Sequence, residues 1–167
     1  MCGHLKNPQT PKTLTGCSLL HKLFNLHKLH KNIQKNEGYS NKPYKDLLGN
    51  KTIGYGHLIK KSEKFLLNSS KSRKYLTELF VKDLNIAINN FRKHYNTKKN
   101  SNNVQEVIIE MIFQLGIKKT LGFNKFNAHI KREKLFMAAL EMLDSRWYKQ
   151  TPRRVNRLIT TMLYKNE

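Results

Sequence analysis

The glycines of this 167-residue chain are concentrated in one short segment, and that segment constrains the fold most. Four of the eight glycines lie between residues 38 and 57. Thr52 and Tyr55, in the same segment, are residue types that favour strands. Gly49-Asn50 is typical of a turn between two short strands. The segment therefore predicts a small antiparallel sheet with a hairpin.

Helical periodicity surrounds this segment on both sides. An apolar stripe from Leu19 to Ile33 predicts a helix that ends near Glu37-Gly38, where glycine can adopt a left-handed conformation. A second stripe from Tyr75 to Phe91 predicts a helix of roughly 20–25 residues, long enough to connect two lobes. Thr151 is expected to cap the last helix, with Pro152 at its first position. The later helices are predicted at Val104–Leu115, Lys125–Lys131, Glu133–Leu143 and Pro152–Leu163.

This order of elements predicts a single α+β domain folded as two lobes. Residues 1–25 are interpreted as an N-terminal extension, and residues 26–167 as the domain itself. Within the domain we expect a small catalytic lobe at 26–72, a connecting helix at 73–95 and a helical lobe at 96–167.

The charge of the chain is strongly one-sided. Lysine and arginine outnumber aspartate and glutamate by 32 to 11, which gives a formal net charge of +21. Such an excess predicts attraction to a polyanion: nucleic acid, an anionic membrane surface or an anionic cell wall. No segment approaches the ~18 apolar residues of a membrane span. The segment before Cys17 lacks the apolar run of about 7–15 residues that an export signal needs, so we expect synthesis in the cytoplasm and later release.

Two acidic residues stand alone in the basic first part of the chain. The first 62 residues contain eleven lysines, but Glu37 and Asp46 are their only acids. Hydrolysis of a glycosidic bond requires one carboxylic acid that protonates the leaving oxygen and a second, ionised carboxylate. Glu37, at a helix end, is expected to be partly buried and to act as the acid. Asp46, near three lysines, is expected to stay ionised and to act as the base. The alternative is a capping glutamate and a turn aspartate, each paired with nearby lysines.

Five blocks of residues follow one another in a characteristic order. They are Asn36-Glu37-Gly38, Tyr44-Lys45-Asp46, Thr52 to His57, Met111 to Gly116, and Ser145 to Pro152. In the first three blocks a glutamate is followed after nine residues by an aspartate, then after six by a threonine and after five by a histidine. Over about residues 29–163, this pattern resembles the phage lysozymes, glycoside hydrolase family 24.

The resemblance implies a lysozyme-like fold and hydrolysis of the β-1,4 link between N-acetylmuramic acid and N-acetylglucosamine in peptidoglycan. It implies Glu37 as proton donor, Asp46 as the group that positions or activates water, and Thr52 as the residue that holds this water. It also pairs His57 with Asp83 as a structural ion pair, in place of a metal-ligand role for His57. The substrate-binding residues that it implies are Leu58, Phe113, Gln114 and Arg154.

The chain departs from the family in the small lobe and at sugar-contacting positions. The interval of 26 residues from His57 to Asp83 is shorter than in the T-even phage members. Two polar positions that contact sugar in those members fall on Phe126 and Glu141 here. We expect a monomer that binds peptidoglycan and anionic cell surfaces, with no nucleic-acid partner, metal or other cofactor. The alternatives are a non-enzymatic cationic binder and a hydrolase of chitin-like sugars.

Three further features have two interpretations each. Trp147 could stack on a sugar, but we expect it in the core of the helical lobe. His27 and His30 share a face of the first helix and are expected to be solvated, because further metal ligands are lacking. The basic pair Lys118-Lys119 could contact phosphate, but an ordinary solvated surface is expected.

Overall fold

The computed structural model of the protein describes residues 16–46, 49–95 and 99–164, with side chains from residue 27 onward. In the first part of the chain the elements are α1 Gly16–Glu37, β1 Ser40–Lys45, β2 Lys51–Gly54, β3 His57–Leu58, a 3-10 helix Lys61–Leu67 and α2 Arg73–His94. In the second part they are α3 Asn102–Leu115, α4 Ile117–Leu121, α5 Asn124–Lys131, α6 Leu135–Leu143, α7 Arg146–Gln150 and α8 Pro152–Leu163. The predicted α+β class is confirmed.

The sheet is antiparallel, with strand order β1-β2-β3. The predicted hairpin joins β1 to β2, and Gly49 in its turn has a φ of +80°, which favours glycine over residues with a side chain. The third strand contains only two residues and was not predicted. The helices α4 and α7, of five residues each, were also missed, because elements this short cannot show a periodic apolar stripe.

Several helix ends differ from the prediction. α1 begins at Gly16, three residues before the apolar stripe, so the boundary predicted at residue 25 falls inside a continuous helix. α6 begins at Leu135 because Glu133, the predicted first residue, has a φ of +58° that no helix accommodates. Pro152 begins α8 as predicted, but Thr151 does not cap it with its side chain. Residues 1–15, with Cys2, lie outside the described residues.

Two clusters of buried residues hold the fold together, and α2 contributes to both. The smaller cluster joins the sheet to the first turns of α2 and contains Ile53, Leu66, Leu76 and Leu79. The larger cluster joins the rest of α2 to α3, α5, α6, α7 and α8. It includes Trp147, which is 3% exposed, so the prediction of a core tryptophan is confirmed. Among the described residues, no helix combines the length and the apolar character needed to cross a bilayer.

The second half of α1 packs on the helices that form the larger buried cluster, which we call the helical part of the molecule. Leu29 and Ile33 belong to the larger buried cluster, although we had predicted that this half of α1 belongs to the small lobe. The amphipathic stripe predicted a buried face on the helix, but it contained no information about the partner of that face. The end of α1 is therefore held by α3, whereas the sheet packs on the start of α2.

Candidate active site

Glu37 is the last residue of α1 and lies where the two parts of the molecule meet. Gly38 follows it with a φ of +70°, so the helix ends as predicted. The side chain of Glu37 is 19% exposed, and its Oε1 accepts a hydrogen bond of 2.8 Å from Arg154 Nη1. Arg154 itself lies largely buried on α8. This charged hydrogen bond restricts the carboxyl of Glu37 to one orientation.

The second oxygen of Glu37 lies over the turn between β2 and β3. A Cβ atom placed on Gly56 would be 3.3 Å from Glu37 Oε2, which is a tight contact. Gly56 also has a φ of +82°, a conformation that side-chain-bearing residues rarely adopt. Glycine at this position therefore serves both the turn and the close approach of the carboxyl. Glu37 thus has one oxygen bound to Arg154 on α8 and the other beside the turn between β2 and β3.

Asp46 follows β1 and closes the hairpin. Its Oδ1 accepts a hydrogen bond from Asn50 N at 2.8 Å, and its Oδ2 accepts one from Asn50 Nδ2 at 3.0 Å. The backbone N–H of Asp46 donates to the Asn50 carbonyl at 2.9 Å, and Gly49 N donates to the Asp46 carbonyl at the same distance. Asn50 therefore fixes the direction of the carboxylate from the other side of the turn.

Thr52 lies in the central strand, opposite Tyr44 on β1 and Leu58 on β3. Cross-strand partners point to the same face of a sheet, so these three side chains form a row. Thr52 is 5% exposed, and its hydroxyl donates to the Tyr44 carbonyl at 3.3 Å. Its oxygen can still accept a hydrogen bond. Leu58 is 53% exposed at the end of the row.

His57 lies between two carboxylates, and sequence reasoning found only one of them. Its Nδ1 is 2.7 Å from Asp83 Oδ2, the pair that the resemblance implied, and its Nε2 is 3.1 Å from Glu63 Oε2. Burial alone would lower the pKa of His57, but the hydrogen bonds and charges of Asp83 and Glu63 outweigh burial and raise it. Burial would raise the pKa of Glu63, but hydrogen bonds from Lys60 N and His57 lower it. Glu63 Oε2 also accepts a hydrogen bond of 3.0 Å from the backbone N–H of Lys60, at the start of the 3-10 helix, and no local pattern in the sequence signals its contact with His57.

The residues expected to bind sugar are in different environments. Phe113 is half-buried and packs edge-on against Phe80, with 5.6 Å between ring centroids. Gln114 Oε1 accepts a hydrogen bond of 2.9 Å from the indole N–H of Trp147. Phe126, one of the two positions where the chain departs from the family, is buried in the larger cluster. Gln114 and Phe126 thus contribute to the packing of the helical part.

A buried glutamate close to this site was not predicted. Glu110 lies in α3, and its Oε2 accepts hydrogen bonds from Arg157 Nη2 at 2.5 Å and from Asn36 Nδ2 at 3.3 Å. Burial raises the pKa of Glu110, while the charge and hydrogen bond of Arg157 oppose the rise. The sequence signal was a single acid inside the apolar run from Val107 to Ile112.

The other histidines and lysines singled out in the sequence are His27, His30, Lys118 and Lys119. In the part of the chain that the structure describes, no three His, Cys, Asp or Glu side chains lie close enough to hold a metal. His27 is exposed, whereas His30 is half-buried and packs edge-on against Phe80. Burial and the charge of His27 lower the pKa of His30. Lys118 and Lys119 are exposed on α4.

Comparison with known proteins identifies the family of the chain. The family model for phage lysozymes matches residues 34–162. Among similar proteins, Probable T4-type lysozyme 2 of Dictyostelium discoideum is 34% identical over 151 residues, which covers 77% of this chain and 89% of that protein. Probable T4-type lysozyme 1 of the same organism is 33% identical over 153 residues, covering 78% of this chain and 90% of that protein. The chain therefore belongs to the phage lysozyme family and is a glycoside hydrolase with a lysozyme-like α+β fold.

Proposed function

We propose that the protein is a muramidase that hydrolyses the β-1,4 link between N-acetylmuramic acid and N-acetylglucosamine in peptidoglycan. One observation carries most of this proposal. Glu37 ends a helix of the helical part, yet one of its oxygens lies over the turn that follows the strand of Thr52. The carboxyl is therefore placed at the junction of the two parts, where a polymer can be bound from both sides.

In the proposed mechanism, Glu37 donates a proton to the leaving glycosidic oxygen. Arg154 holds Oε1, so that the carboxyl presents a constant geometry to the bond that breaks. Fixed orientation of a reacting group accounts for a large part of many rate enhancements. The absence of a side chain at Gly56 keeps Oε2 from being displaced.

Asp46 is the proposed base, with Thr52 as the residue that positions the attacking water. Asn50 holds the Asp46 carboxylate, and three exposed lysines (Lys42, Lys45 and Lys51) lie near it in sequence. The Thr52 hydroxyl donates its proton to the Tyr44 carbonyl. A water could therefore donate to the Thr52 oxygen and orient its own lone pair toward the sugar.

Of the four residues proposed for substrate binding, two would contact the sugar directly and two would act through other residues. Leu58 and Phe113 would form apolar walls against the sugar rings. Arg154 and Gln114 would act indirectly, because their polar atoms are bound to Glu37 and Trp147. The net charge of +21 would speed encounter with the anionic wall polymer. Degradation of the wall would then lead to bacteriolysis.

The experiment is digestion of purified peptidoglycan with the full chain. Soluble fragments are reduced with borohydride and analysed by mass spectrometry, which identifies the sugar at each new reducing end. We expect reduced N-acetylmuramic acid from the native protein and none from Glu37→Gln or Asp46→Asn. Glu78→Gln, which changes an exposed acid of α2, serves as the control and should remain active.

The same assay, with chitooligosaccharides in place of peptidoglycan, tests the alternative of a hydrolase of chitin-like sugars. Chitooligosaccharides contain N-acetylglucosamine alone, so faster turnover on them than on peptidoglycan would contradict the muramidase proposal. Undiminished release of fragments by Glu37→Gln would contradict the assignment of the proton donor. Reducing ends of N-acetylglucosamine instead of N-acetylmuramic acid would show that a different bond is cleaved.

A further inference from the structure

Glu110 is a buried carboxyl for which the mechanism above has no use. It is 3% exposed, and the other residues from Val107 to Ile112 are apolar and buried. One of its oxygens, Oε1, is buried and has no hydrogen-bond partner among the described residues. A buried polar atom without a partner costs folding free energy, because its lost hydration is not replaced. An apolar side chain at this position would avoid that cost.

Both hydrogen-bond partners of Glu110 adjoin residues of the active site. Asn36 directly precedes Glu37 in α1. Arg157 follows Arg154 by three positions in α8, so the two arginines lie on the same face of that helix. The charge of Arg154 also acts on Glu110, together with the larger effect of Arg157. A single carboxyl thus links the end of α1 to the face of α8 that holds Glu37.

A second contact between α1 and α3 provides a natural comparison. Glu106 lies one turn before Glu110 on α3, and its Oε1 accepts a hydrogen bond of 2.9 Å from Asn32 Nδ2. Asn32 in turn lies one turn before Asn36 on α1. The asparagine-to-glutamate link is therefore repeated, but of the two glutamates only Glu110 is buried, and only its link extends to α8.

We propose that Glu110 is a positioning residue for the hydrolysis. Its carboxyl holds the last turn of α1 and the arginine face of α8 in a fixed relation, and this keeps Glu37 and Arg154 in contact. It does not touch the substrate. The inference rests on the proposed role of Glu37 as proton donor, but the contact that Glu110 maintains can be measured without substrate.

The kinetic test uses Glu110→Gln, which keeps the size of the side chain and removes its charge. We expect kcat on purified peptidoglycan to fall about 10- to 100-fold, because small displacements of a reacting group have effects of this size. KM should change by less than about twofold, since no substrate contact is lost. Glu106→Gln is the matched control and should retain the native kcat. Ile130→Val, on α5, shows how kcat responds to a modest loss of core packing.

The second measurement follows the contact itself. In the native protein, the side-chain N–H groups of Arg154 should give slowly exchanging NMR signals because Glu37 holds them. In Glu110→Gln these signals should broaden or exchange rapidly, whereas in Glu106→Gln they should persist. This measurement needs no substrate, so it separates failure of the present inference from failure of the muramidase proposal.

A milder variant covers the case in which Glu110→Gln does not fold. Asn36→Ala removes only the 3.3 Å bond to Glu110 and leaves the ion pair with Arg157 intact. We expect a several-fold loss of kcat and weaker protection of the Arg154 signals, with Asn32→Ala unchanged in both. Native Arg154 signals and native kcat in Glu110→Gln would overturn the proposal, as would equal losses in the Asn36 and Asn32 variants.

Discussion

Arg154 Nη1 lies 2.8 Å from Glu37 Oε1, and this hydrogen bond joins positions that are 117 residues apart. It fastens the proposed proton donor to the helical part of the molecule. The proposed base, Asp46, belongs to the hairpin of the sheet. The two carboxyls are therefore carried by different parts of the fold, and the packing between those parts sets their relative position.

The first prediction concerns the shape of the Arg154 side chain. Arg154→Lys keeps the positive charge but loses the planar fork that orients a carboxylate. We expect kcat on peptidoglycan to fall about 10- to 100-fold with little change in KM. Arg153→Lys, at the exposed neighbouring position, should remain native in both constants. A rise in KM with native kcat would instead show that Arg154 binds the substrate directly.

The second prediction separates two effects of a glycine. Gly56→Ala and Gly116→Ala both place a side chain at a φ near +80°, so each should lose about 1–3 kcal/mol of unfolding free energy. The added methyl group meets Glu37 Oε2 at residue 56 and nothing within 4 Å at residue 116. Most of the activity should therefore be lost in Gly56→Ala and kept in Gly116→Ala. Urea unfolding measures the stability of both variants, and initial rates on the same samples measure their activity. Equal activities of the two variants would contradict the close approach of Glu37 Oε2 to residue 56.

The third prediction concerns the pH dependence of stability. The pKa of His57 is raised, so its contribution is full below about pH 6.5, its unfolded value, and is lost as pH rises through the folded value. The pKa of Glu63 is lowered, so its contribution is present above about pH 4.3 and is lost at lower pH. The unfolding free energy should therefore differ most between the native protein and His57→Gln at about pH 5–6.5.

This difference should shrink toward alkaline pH. Urea unfolding of both proteins at several pH values measures it. His94→Gln, which changes an exposed histidine at the end of α2, is the control and should show a small difference throughout. A difference for His57→Gln that stays constant with pH would mean that the protonated form is not what the two carboxylates stabilise.

The fourth prediction distinguishes packing from substrate binding at Gln114. Gln114→Leu leaves the buried indole N–H of Trp147 without its partner at 2.9 Å. We expect a loss of about 1–3 kcal/mol in unfolding free energy, measured by urea unfolding. KM for peptidoglycan should remain close to native. A raised KM together with native stability would instead show that Gln114 binds the sugar directly.

The fifth prediction follows from the charge of the whole chain. At 0.1 M salt charges act over about 10 Å, and at 1 M over about 3 Å. We therefore expect kcat/KM on peptidoglycan to fall by at least about tenfold over this range, while kcat at saturating substrate changes little. Melting temperatures at the same salt concentrations check that the fold persists. A kcat/KM independent of salt would contradict electrostatic attraction to the wall.

Much of the fold could be predicted from local patterns. The long helices, the hairpin at Gly49 and the start of α8 at Pro152 follow from periodicity and turn chemistry, which act over a few residues. The sequence did not reveal which part of the molecule the end of α1 packs on, because an apolar stripe predicts a buried face but not the element that covers it. The short helices and β3 were missed because they contain too few residues to show a period.

The sequence by itself determined the order of the main elements, the family and the two acids proposed for catalysis. These depend on spacing along the chain, which is visible without a structure. Only the tertiary structure decided which groups hold the acids and their neighbours: Arg154 on Glu37, Glu63 on His57, and Glu110 between α1 and α8. The physical reason is that the contacts that fix Glu37 and Glu110 join residues far apart in the chain. Their geometry arises only when the helices and the sheet pack together.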